Sequence, residues 1–204
     1  MGNKERFEEL LKRAADRPGF DGLLNYIRKS DFYTAPASTK FHLSCEGGLL
    51  QHSLNVYDAL VGRLQPGEDD TFRYLVHGKE VVAFKRETLV IVALLHDLCK
   101  ANFYKKGTRN VKNDETGKWE KVPSYSVEDM FPYGHGEKSV FLIERFMKLK
   151  VEEAVAIRWH MGGFDDAVRG GSFAMSGAFE KYPLAVKLHI SDLEATYLME
   201  TREA

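Results

Sequence analysis

Apolar residues recur at helical spacing over most of the chain. Phe7, Leu10, Leu11 and Ala14 share one face of the stretch from Glu5 to Ala15. Pro18-Gly19 breaks that run, and Phe20 to Lys29 reads as a second helix. Residues 33–46 hold Pro36, Ser38, Thr39 and Ser44, which predicts an ordered loop. Gly47-Gly48 then opens a long helix to Leu64, ended by Pro66-Gly67-Glu68-Asp69-Asp70. The pattern from Phe72 to Phe84 fits two readings, because Tyr74-Leu75-Val76 and Val81-Val82-Ala83 suit short strands or helix. Residues 86–100 predict a buried helix, since Leu89-Val90-Ile91-Val92-Ala93-Leu94-Leu95 has no polar face.

Residues 102–134 differ in character. Asn113-Asp114-Glu115-Thr116-Gly117-Lys118 looks like a turn between Thr108–Val111 and Trp119–Val122, which predicts a β-hairpin insertion. Helical spacing resumes over His135–Lys148 and Val151–Met161. A glycine-rich loop follows over 162–180, and a last helix over Tyr182–Glu200 has Pro183 in its first turn. The 204 residues and 44% hydrophobic content suit one compact domain, 1–204, carrying that insertion.

Composition weakens several classes of function without excluding a nucleic-acid substrate. The net charge of −1 gives no global field toward nucleic acid or a membrane surface. Two cysteines, Cys45 and Cys99, make no disulfide framework and predict a reducing, cytoplasmic setting. The N-terminal residues Met1 to Arg6 carry no signal-peptide pattern, and the run before His96 is too short to span a bilayer.

Polar residues then stand where the pattern expects core. His96-Asp97 closes the apolar run 89–95. His52 shares its helical stripe with Leu49, Val56 and Ala59, and Asp192 shares one with Leu188, Ala195 and Met199. His160 follows Ala156 and Ile157 on an apolar side, and His135 follows Gly134 at a helix start. Burying such groups singly costs several kcal/mol, roughly, unless each finds a partner. A shared metal site satisfies all six, because imidazole and carboxylate both ligate divalent transition metals.

Those residues carry a family resemblance. Gly47-Gly48-Leu49-Leu50-Gln51-His52-Ser53, Leu94-Leu95-His96-Asp97-Leu98-Cys99-Lys100, Gly134-His135-Gly136, Trp159-His160-Met161-Gly162-Gly163 and His189-Ile190-Ser191-Asp192 resemble, in that order, the HD-domain superfamily of metal-dependent phosphohydrolases. The resemblance implies an all-α helical bundle. It implies that His52, His96, Asp97 and Asp192 hold a first metal and His135 and His160 a second, with Asp97 bridging. A hydroxide held between the ions would attack phosphorus. The imidazole-rich set suits Mn, Fe, Co, Ni or Zn better than Mg. Lys100, three residues after Asp97, is implied to contact substrate phosphate or the bridging carboxylate. His42, His77 and His189 match nothing in the pattern and read as structural. Glu137 reads as a first-turn helix charge or as a base supporting His135.

Substrate choice is expected in two places. The insertion holds Lys105, Lys106, Arg109, Lys112, Lys118 and Lys121 among Phe103, Tyr104, Trp119, Tyr125 and Tyr133. The loop 162–180 holds Arg169, suited to a phosphate. Lys105, Arg109 and Arg169 are therefore the candidate substrate-binding residues. The expected function is hydrolysis of a phosphate ester or anhydride of a nucleotide or dinucleotide. The alternatives are an exonuclease acting 3′ to 5′ on RNA or DNA, and a metal-binding module without catalysis.

Overall fold

The structure, a computed structural model, describes residues 1–114 and 116–200. Glu115, counted above in the turn of the insertion, lies outside the described residues, as do 201–204. Helix α1 (Asn3–Leu11) continues as a 3-10 turn, Lys12–Ala14, and α2 spans Phe20–Lys29. Helix α3 covers Gly48–Gly62. Gly48 starts it pressed against the preceding loop, where a Cβ would sit 2.1 Å from the Leu43 carbonyl oxygen.

The ambiguous stretch is a small antiparallel sheet, with strands β1 (Gln65–Pro66), β2 (Thr71–Val76) and β3 (Lys79–Lys85) in the order β1-β2-β3. The turn decides it. His77 and Gly78 both adopt positive φ, at 50° and 75°, between the paired residues Val76 and Lys79. A two-residue loop of that hand matches the twist of a hairpin and cannot continue a helix. Phe72 and Phe84 pair across the strands and are both buried, which ties the sheet to the core. The fold is therefore mostly helical rather than all-α, with 51% helix and 17% strand.

Strand β3 runs directly into α4 (Arg86–Leu95). Residues Leu89 to Leu95 are fully buried, because α1, α3 and α6 (Val151–Trp159) surround the helix. The expected helix over 86–100 is interrupted. It ends at Leu95, Asp97 takes φ −104° and ψ 20°, and Leu98–Lys100 forms a 3-10 turn. The interruption has a use, since consecutive residues of an intact α-helix do not face one target.

The insertion is a hairpin with longer strands than the pattern indicated, β4 (Tyr104–Lys112) and β5 (Trp119–Val127). Helix α5 covers His135–Glu144. It meets α6 backbone to backbone at Gly136, where a Cβ would lie 2.3 Å from the Arg158 carbonyl oxygen. The expected loop 162–180 is mostly short helices: a 3-10 turn Gly162–Phe164, α7 (Asp166–Arg169) and α8 (Ala174–Lys181). Helix α9 (Pro183–Glu194) passes into a π-helical turn, Ala195–Met199. Among the described residues, no helix is long and apolar enough to cross a membrane.

A buried ionic group joins the N-terminal helices to this body. Arg17 donates to both oxygens of Glu153 at 2.7 Å, and Glu153, fully buried, also accepts from the Thr88 hydroxyl at 2.9 Å. Removing one partner of a buried pair leaves an uncompensated charge. Arg17→Ala should therefore destabilise the fold by about 3–5 kcal/mol in urea unfolding followed by circular dichroism. A loss below about 1 kcal/mol, the value of a surface pair, would show that Glu153 is satisfied without it.

Candidate metal centre

Five elements deliver the six candidate ligands to one point. His52 comes from the second turn of α3 and His96 and Asp97 from the interruption after α4. His135 opens α5, His160 follows α6, and Asp192 lies on α9. His52, His96, Asp97 and His160 are buried and Asp192 and His135 half-buried, and His52, Asp97, His135 and Asp192 border a cavity of about 1060 Å³. The close approach of α5 to α6 at Gly136 sets the His135 and His160 rings 5.2 Å apart.

Hydrogen bonds at the far side of three rings fix which nitrogen faces inward. His96 Nδ1–H donates to the Ala93 carbonyl at 2.8 Å, and His160 Nδ1–H to the Ile157 carbonyl at 2.7 Å. His52 Nδ1–H donates to the Glu200 carboxylate at 3.0 Å. Each Nε2 is thereby turned toward the centre, as a metal-ligating imidazole requires. The Nε2 atoms of His52 and His96 stand 3.2 Å apart. His160 Nε2 is buried with no hydrogen-bond partner among the described residues, 3.5 Å from Asp97 Oδ1.

The two oxygens of Asp97 divide the imidazoles into pairs. Oδ2 faces His52 Nε2 at 3.6 Å and His96 Nε2 at 3.5 Å. Oδ1 meets His135 Nε2 at 2.7 Å and His160 Nε2 at 3.5 Å. Asp192 Oδ1 lies 3.2 Å from His52 Nε2, and its carboxylate also groups with His96 and His160. Burial alone would raise the Asp97 pKa, yet the Lys100 ammonium and the surrounding imidazoles hold it well below the usual carboxylate range. Burial lowers the His52 pKa, but Asp192 and Glu200 outweigh it and raise it to about 9. Converging lone pairs, an orphaned buried Nε2 and two carboxylates match the donor set of a divalent transition metal. Both triads, His52–His96–Asp97 and Asp97–His135–His160, have ligand atoms close enough to share an ion.

Lys100 Nζ lies 2.6 Å from Asp97 Oδ2 and borders the cavity. Burial opposes its charge, but Asp97 prevails and keeps its pKa above the ordinary lysine value. Arg169 borders the same cavity, 5.8 Å over the Phe164 ring. Lys105 and Arg109 do not border it: both lie on the hairpin face opposite Tyr104, and Lys105 pairs with Glu128 at 3.5 Å. Glu137 pairs with Arg158. His189 supports the centre from outside, donating through Nδ1–H to the His160 carbonyl at 2.6 Å.

Glu200 and His42 belong to the site, and the sequence pattern passed over both. Glu200 is buried, and besides His52 it accepts from Asn55 Nδ2 at 2.8 Å. It reaches the centre through the π turn. The bond from Glu200 N–H to the Ala195 carbonyl, 3.0 Å, underwinds the last turn. An α-helix would carry the eighth residue after Asp192 about 80° off its face, whereas the wider turn returns it. His42 lies 4.0 Å from Glu200, its ring 4.9 Å from that of His52, and burial with the nearby cations lowers its pKa to about 4. Neither residue sits at an inward periodic position of an α-helix, so periodicity had no signal for them.

Two substitutions test this arrangement by metal content and calorimetric affinity. Asp97→Ala should abolish binding, because it takes the shared oxygens from both triads. Glu200→Gln should keep the fold and weaken affinity by about 10–100-fold, the usual effect of removing a partner behind a ligating histidine. Undiminished affinity in Asp97→Ala would show that the centre does not bind the ion.

The HD domain family model matches residues 49–198, which include all six candidate ligands. No curated protein and no solved structure matches the chain. With the H…HD…H…H…D residues in one cluster, the chain belongs to the HD-domain superfamily of metal-dependent phosphohydrolases.

Proposed function

We propose that this chain hydrolyses a phosphate ester or anhydride of a nucleotide at a centre of two divalent transition-metal ions. The observation that carries this reading is the division of the Asp97 carboxylate, one oxygen toward His52 and His96 and the other toward His135 and His160. A carboxylate so placed has one oxygen for each of two ions. His52, His96, Asp97 and Asp192 would hold one ion, and Asp97, His135 and His160 the other. Bound there, Mn, Fe, Co, Ni or Zn would supply a nucleophilic oxygen at neutral pH and neutralise phosphate charge.

The chain's own residues do the rest. Lys100 holds Asp97 Oδ2 and keeps an ammonium at the cavity wall, where an incoming phosphate meets it. Arg169 offers a planar fork to a further phosphate. Phe41 and Tyr197 are 75% and 60% exposed at the cavity, as suits rings that stack on a base. At about 1060 Å³ the cavity is roomy enough for a nucleotide.

Metal-stripped protein given each ion in turn should regain hydrolysis of a nucleotide, a dinucleotide or bis(p-nitrophenyl) phosphate, and a chelator should remove it. Lys100→Met should lower kcat about 10²–10³-fold with metal content retained, as loss of one charge-stabilising donor does. If no ester is cut while metal analysis shows the ions bound, the chain is a metal-binding module and the enzymatic reading fails.

A further inference from the structure

We propose that one face of the β4–β5 hairpin is a track for a single-stranded polynucleotide, whose end it delivers to the metal centre. The proposal rests on the phosphohydrolase reading above and names its substrate class.

Strand register carries the argument. Side chains alternate between the two faces of a strand, and directly paired residues share a face. The pairs Tyr104–Val127, Lys106–Tyr125, Asn110–Lys121 and Lys112–Trp119 therefore lie on one face. It bears three lysines, a tryptophan and two tyrosines, with no carboxylate among the paired residues. The opposite face carries the pairs Lys105–Ser126, Gly107–Ser124, Arg109–Val122 and Val111–Glu120, with no aromatic ring and one acid. Cations and rings interleaved along a strand are what an unpaired polynucleotide needs, phosphates for the one and bases for the other.

The track is continuous with the site. Tyr104 and Val127, at its base, border the catalytic cavity. Tyr104, Lys106 and Tyr125 then border an adjoining recess of about 220 Å³ beside residues 31–46. Lys112 and Trp119 stand at the far end, about 27 Å away at strand spacing. Trp119 is 70% exposed, and among the described residues neither Lys112 nor Lys121 has an ion-pair partner. Glu46 pairs with Lys106 at 3.1 Å, but both groups are about two-thirds exposed, and such a pair is weak enough for a phosphate to displace. A two-stranded ribbon exposed on both sides is marginal alone in water, so a ligand along one side also stabilises it. The overall charge of −1 conceals this local asymmetry.

Fluorescence anisotropy of the full chain with labelled oligo(U) and oligo(dT), in chelator to prevent cleavage, tests the track. Trp119→Ala, and separately the double variant Lys112→Ala/Lys121→Ala, should each weaken binding about tenfold or more, with a salt dependence that is shallower in the double variant. Arg109→Ala removes the same kind of charge from the opposite face and should change affinity less than about twofold. The proposal is overturned if Arg109→Ala weakens binding as much as Trp119→Ala, or if duplex binds as tightly as single strand. It is also overturned if the hairpin variants dissociate a dimer in sedimentation. Metal-loaded wild type on bis(p-nitrophenyl) phosphate separates the two readings. Hydrolysis without strand binding rejects the track alone, whereas strand binding without hydrolysis rejects the phosphohydrolase reading.

Discussion

A carboxylate held in the interior imposes more on this chain than any other group. Asp97 is almost completely buried, and burial by itself would favour its neutral form. It stays ionised because four imidazoles and the Lys100 ammonium surround it. Those groups come from residues as distant in sequence as 52 and 160, so the second turn of α3, the start of α5 and the end of α6 must meet at one place. The apolar α4 makes that possible. Having no polar face, it fills the centre of the bundle and presents its C-terminal end to the surrounding helices. Breaking the helix at Leu95 then lets His96 and Asp97 look the same way, which an unbroken helix forbids.

Periodicity disclosed the parts of the fold whose structure is local. Helix α2 has the bounds its pattern indicates, and α3 and α9 begin where their glycine and proline signals fall. Less was legible where tertiary forces overrule the local pattern. Residues 86–100 read as one apolar helix because the run hides the break, whose cause is the cluster of polar side chains beyond it. The sheet at 65–85 turned on backbone angles at His77 and Gly78, a preference that residue types indicate only weakly. In the metal centre, His52 and Asp192 stood out because each is a polar residue within an apolar stripe. Glu200 did not, because its approach depends on a π turn that α-helical spacing misplaces.

The same distinction separates the centre from its walls. Buried hydrogen bonds hold the inward nitrogens: backbone carbonyls of Ala93 and Ile157 fix His96 and His160, and the side-chain carboxylate of Glu200 fixes His52. These partners are buried with the core and move only with it. The cavity wall is assembled from loop 33–46, the short helices after α6, the end of α9 and the root of the hairpin. Phe41, Tyr197 and Arg169 stand there with side chains directed to the cavity, and none of the three is itself a candidate ligand.

Charge follows that partition as well, and for a physical reason. The interior cations, Lys100 and Arg17, each sit within hydrogen-bond distance of a buried carboxylate, so their fields are largely spent on those partners. A phosphate arriving from solvent is attracted by charges that remain exposed, and these lie on the hairpin and near Arg169. A field screened within about 8 Å at physiological salt cannot act from one end of the hairpin to the metal centre. Guidance over that length requires cations repeated along the way, and Lys106, Lys121 and Lys112 occur in that order outward from Tyr104 on a single face. If the chain acts on a polynucleotide as proposed, the spacing of those lysines, rather than the near-zero net charge, is the electrostatic property that would bear on which phosphate reaches Asp97.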